Sequence, residues 1–109
     1  VNVRHISVPF TWQTTPYALI KLAKGEAVRD IGVAVEDAFN GPVAFLTLGT
    51  IAEPERVILA GDVNLRVFGD YRIPRTYTCD EWEEHMYLVV EPGASTGGHG
   101  RIFYTWEHF

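Results

Sequence analysis

Residues 26–39, EAVRDIGVAVEDAF, decide the fold. Taken two at a time, Ile31, Val33 and Val35 fall on one face of a strand, with Gly32, Ala34 and Glu36 on the other. Val28 has the wrong parity for the apolar face, so a bulge is expected at Arg29 and Asp30. An amphipathic helix is the rival reading. Four β-branched apolar residues and an internal glycine tell against it, because branched side chains lose rotamer freedom on a helix and pack well on a pleat.

The same punctuation continues on both sides. FNGP is a turn signal, after which VAFLTLG is expected to return as a hairpin partner. RVILA, VNLRVF and YRIPRTYT follow as short alternating segments separated by Gly-Asp turns. MYLVVE and RIFYTW are expected to form a closing hairpin across PGASTGGHG. Towards the start, YALIKL reads as a strand that turns at AKGE. Val3–Phe10 alternates loosely and contains Pro9, which suits an edge strand or an extended arm within residues 1–12. Eight or nine short strands with tight connections predict an all-β chain, folded over 1–109 as one antiparallel, jelly-roll-like β-sandwich.

Composition narrows the function. The 109 residues carry 14 acidic and 9 basic side chains, for a net charge of −5, and no block of Lys and Arg. That balance disfavours nucleic acid and anionic membrane surfaces as partners. No apolar stretch approaches the length of a transmembrane helix, and the opening VNVRHISVPF lacks the regions of a signal peptide. A single cysteine, Cys79, forbids an intramolecular disulfide, so folding in a reducing compartment or stabilisation by something larger is expected.

Reactive side chains form no recognisable constellation, and no enzyme activity, catalytic residue, metal or cofactor is expected. His5, His85, His99 and His108 lack metal-ligand spacing. Asp80, Glu81, Glu83 and Glu84 crowd one predicted loop, where a solvated surface is the ordinary reading and calcium the sharper one. GASTGGHG has no following Lys and leads into a strand, unlike a phosphate-binding loop. The acids after Cys79 oppose a thiolate nucleophile. The aromatic residues remain, and packing claims most of them. Trp12 and Trp82, in predicted loops, are least explained by packing. With Ile6, Val8 and Phe10 they form the candidate partner-binding set.

An ordered series of segments, VPFTW, LAKGEAV, IGVAVEDAFNGPVAFLTLGT, AEPERVILAGDVNL and LVVEPGASTGGHGRIFYTW, resembles the small β-sandwich virion proteins of tailed bacteriophages. The resemblance runs from Val8 to Trp106, and the acidic RTYTCDEWEEH departs from it. It implies a decoration (cement) protein on the capsid exterior, assembled in the host cytoplasm. The implied partners are the major capsid protein and further copies of the chain in a homo-oligomer. The alternative is a tail, fibre or head-fibre module binding host-surface carbohydrate.

Overall fold

A computed structural model describes residues 2–14, 16–80 and 83–108. Eight strands are present: β1 (Asn2–Thr11), β2 (Tyr17–Ala23), β3 (Glu26–Asp37), β4 (Phe45–Gly49), β5 (Gly69–Ile73), β6 (Tyr77–Thr78), β7 (Glu83–Glu91) and β8 (His99–His108). They form two antiparallel sheets. One has the order β1-β8-β3-β5, with β6 also on β3, and the other the order β2-β7-β4. β1 pairs with β8 and β2 with β7, so the first two strands nest against the last two, one pair in each sheet of the sandwich.

The bulge in β3 lies where the sequence places it. Arg29 pairs with Thr105 and Gly32 with Phe103, so β3 carries one residue more than β8 across this step. Asp30 takes the extra position with φ 52, a conformation that short polar side chains tolerate. The slip turns Val28 to the same side as Ile31, Val33 and Val35, and all four are buried. They meet Ile102 and Tyr104 of β8 and Phe10 of β1 in a core closed from the other sheet by Ile20, Leu22, Leu46, Leu48, Met86, Leu88 and Val90.

The expected hairpins are absent. β3 and β4 lie in different sheets, as do β7 and β8, so these connections cross the sandwich from sheet to sheet. Alternation tells which face a residue takes but not which strand lies beside it, and every long ladder joins partners distant in sequence. RVILA contributes only the bridge between Ile58 and Leu48. VNLRVF is irregular, although Val63 and Leu65 are buried in the core. YRIPRTYT splits at Pro74 into β5 and β6.

Segment 50–68 therefore acts as a strap over the flank where β4 and β5 end their sheets. Arg75 holds the Asp62 carboxylate and donates to the Val57 carbonyl at 3.1 Å, and the Phe39 N–H donates to the Leu65 carbonyl at 2.8 Å. Burial works against a charged Asp62. The hydrogen bonds from Arg75 and from the Leu59 N–H, together with the guanidinium charge, outweigh it and hold the carboxyl below its ordinary value. The opposite flank, where β1 and β2 are the end strands, has no such cover among the described residues.

Candidate functional site

β1 lies at the end of the five-stranded sheet, paired with β8 through ten consecutive residues without a register shift. Phe10 is 1% exposed and belongs to the core, against Phe39 at a ring-centroid distance of 6.3 Å. Ile6, Val8 and Trp12 are half-buried, and with Leu19 of β2 they border the core along the open flank. Of the candidate partner-binding set, Ile6, Val8 and Trp12 thus share one seam and Phe10 lies beneath it. Trp82 lies outside the described residues, so its place in the set has no structural counterpart here.

The other face of β1 is polar. His5 Nδ1 and Thr105 Oγ1 are 3.0 Å apart, with Thr105 itself 3% exposed. Ser7 Oγ accepts from Arg101 at 3.2 Å. His5, Ser7 and Thr105 border a shallow depression of about 410 Å³ together with Asp30, Arg72 and Phe103. Gly32 explains its shape: a Cβ there would come within 2.4 Å of the Phe103 ring, so only glycine lets the ring lie down across β3. Arg72 then stacks on the ring, 5.5 Å from its centroid. Asp30 binds Arg29 at 2.6 Å, and Arg29 also reaches Glu107 at 3.2 Å. The ring and hydroxyls offer contact chemistry. The His5–Thr105 pair ties β1 to β8 through a hydroxyl too buried to attack a bound substrate.

The remaining candidates stay apart. Cys79 is buried, with Sγ 3.7 Å from the Leu22 carbonyl. His99 lies 3.8 Å from Asp37 at one end of β8. Of the acidic run, Asp80 is exposed and Glu84 has the core-side parity of Met86 in β7, while 81 and 82 lie outside the described residues. One Glu84 carboxylate oxygen is buried without a hydrogen-bond partner among the described residues. No group of three His, Cys, Asp or Glu among the described residues is placed to hold a metal ion. No helix among them is long and apolar enough to cross a membrane. Sequence reading missed the depression beside Phe103, whose local signal is Gly32 inside a strand. It also missed Val67 and Phe68, which read as a strand but lie exposed in the loop before β5.

No protein-family model matches the chain, and no curated protein matches it by sequence. Solved structures do match. A chain of the cyanophage Pam1 capsid asymmetric unit superposes with a TM-score of 0.68 at 15% identity, over 96% of this chain and 84% of that one. A chain of the acid-stable capsid of the Helicobacter pylori bacteriophage KHP30 superposes with a TM-score of 0.71 at 14% identity, over 95% and 86%. The fold is shared with chains of two phage capsids.

Proposed function

We propose that this chain is a structural virion protein of a tailed phage that binds the outside of the capsid as a decoration (cement) protein. One observation carries the reading: its fold matches chains of two phage capsids over nearly its full length. The matched chains are themselves small. Since 96% of 109 residues make up 84% of the first, that chain has about 125 residues, and the second, likewise, about 120. Each has the size of one sandwich, as suits a subunit that adds to a shell.

The geometry supports the same role. A decoration protein works by burying surface against shell subunits, which needs an accessible flank and no reactive centre. The seam of Ile6, Val8 and Trp12, bordered by the end strands β1 and β2, supplies that flank. Binding to the assembled lattice and not to free subunits stabilises the shell by linkage, and many copies make the gain large. The partners in this reading are the major capsid protein and neighbouring copies of the chain.

The carbohydrate-binding alternative draws on the depression beside Phe103, where an aromatic ring, a guanidinium and hydroxyls converge. Cosedimentation separates the two. Purified chain added to capsids that lack it should pellet with them saturably and raise their melting temperature. Binding to host-surface glycan with none to capsids would establish the alternative.

A further inference from the structure

We infer that the free edge of β1 over Val3–Ser7 is a docking site for an extended acidic segment of another polypeptide, which adds there as one more strand. That this polypeptide is a capsid chain rests on the proposed function; the edge and its chemistry do not.

The direction of each backbone group in β1 follows from one bond. The Trp12 N–H donates to the Gly98 carbonyl at 3.0 Å, which extends by one step the ladder in which Thr11 faces His99. Hydrogen-bonded and non-bonded pairs alternate along an antiparallel ladder. Arg4, Ile6, Val8 and Phe10 therefore turn their N–H and C=O groups to β8, and Val3, His5, Ser7, Pro9 and Thr11 turn theirs away from it. Two further features agree. The Thr11 N–H, facing outwards, is taken by the Thr14 hydroxyl at 2.8 Å. Pro9, with no N–H to give, occupies an outward position where β8 needs none. The edge is thus blocked above Pro9 and open at Val3, His5 and Ser7.

The other sheet ends are defended in the usual ways. β2 has a bulge between Ala18 and Ile20, carries Lys21, and has its Ala23 N–H bonded to Glu26 Oε1 at 2.6 Å. β4 is covered at Leu48 by Ile58. β5 has five residues and ends before Pro74, and β6 has two. β1 alone among the described strands combines length, regular pairing and an open end position. Backbone hydrogen bonds on such an edge give affinity, and alternate side chains give specificity.

Charge selects the occupant. β1 has no acidic residue in a chain of net charge −5, yet it carries Arg4 and His5, and Arg101 reaches across from β8 to Ser7. Glu107, opposite Val3, is engaged by Arg29 on the far side of β8. A second, antiparallel copy of β1 centred on Arg4 would set that guanidinium against its own counterpart, a like-charge juxtaposition. An incoming strand with carboxylates on the His5 and Ser7 side meets the Arg101 guanidinium there, and apolar residues on its other side lie beside Ile6 and Val8.

The test uses the whole chain and the blocked heptapeptide TVEVEVT, with TVKVKVT as control, read by residue-resolved amide hydrogen exchange. TVEVEVT should protect the amides of Val3, His5 and Ser7 and leave those of Arg4, Ile6 and Val8 as they were, while TVKVKVT binds about tenfold more weakly or worse. Ser7→Pro should keep the β1–β8 ladder and lose about tenfold in affinity for TVEVEVT; should that variant unfold, the wild-type exchange pattern decides alone. No added protection at the three amides overturns the inference. So does equal binding of both peptides, or protection of those amides that rises with protein concentration alone, the mark of self-pairing. Peptide binding by a chain that ignores capsids would refute the decoration role and leave the edge standing. Capsid binding undiminished in folded Ser7→Pro would refute a capsid chain as the occupant of the edge and leave the decoration role standing.

Discussion

Replacing Asp62 by asparagine tests whether the strap over 50–68 closes its flank through charge. The side chains of Asp62 and Arg75 are 22% and 35% exposed, so their contact is neither buried nor fully solvated. Hydrogen bonds to a charged group contribute about 1.5–3 kcal/mol. Partial exposure reduces this, since screened ion pairs are worth little, and about 1–2 kcal/mol remains at neutral pH. The substituted side-chain amide would keep one acceptor for the Leu59 N–H, bonded at 2.8 Å in the native chain, and lose the charge together with the second oxygen, which accepts from Arg75 Nη2 at 3.4 Å. For a chain of this size the loss lowers the melting temperature by about 4–8 °C. The pH dependence fixes the sign. Asp62 has a folded-state value below its ordinary 3.8, so its stabilisation is fully present above 3.8 and is lost as pH falls through the lower, folded value. Native and D62N proteins should therefore differ at pH 7 and converge in strong acid, by calorimetry or by CD melting. Equal melting at pH 7, or a gap that persists undiminished in strong acid, would refute the reasoning.

Phe10→Ala should cost about 3–5 kcal/mol, because it empties a core site, and a chemical denaturation curve reads the loss directly. An unchanged midpoint would mean that β1 is an appended arm and not a wall of the core. Gly32→Ala should expel the Phe103 ring, at about 1–2 kcal/mol, and break the Arg72 stack; the Phe103 ring proton shifts report it. Excess EDTA should leave the melting temperature unchanged, whereas a drop restored by calcium would assign a metal to the run from Asp80 to Glu84.

What was legible in the sequence was local. The parity slip between Val28 and Ile31 marked a bulge near Arg29 and Asp30, while Pro9 left β1 open between an edge strand and an extended arm. Partnership was not legible, because alternation in VAFLTLG or RIFYTW looks the same beside a neighbour in sequence as beside a strand eighty residues away. The strap also escaped notice. Val57, Ile58, Val63 and Leu65 are spaced like strand residues because they fill the core from a loop, and burial leaves the same apolar pattern whether or not a ladder accompanies it. The apolar seam was visible as Ile6, Val8 and Trp12, but its lining of Phe10 belongs to the interior. The depression required pairing knowledge, since Ser7, Phe103, Gly32 and Arg72 align only across four strands.

Electron cryomicroscopy of virions carrying this chain tests the decoration role most directly. Density for a two-sheet sandwich of about 41 × 25 × 19 Å is expected at regular positions on the outer capsid surface, its β1 flank turned to the shell. The same density confined to the tail, the fibres or the capsid interior would contradict it.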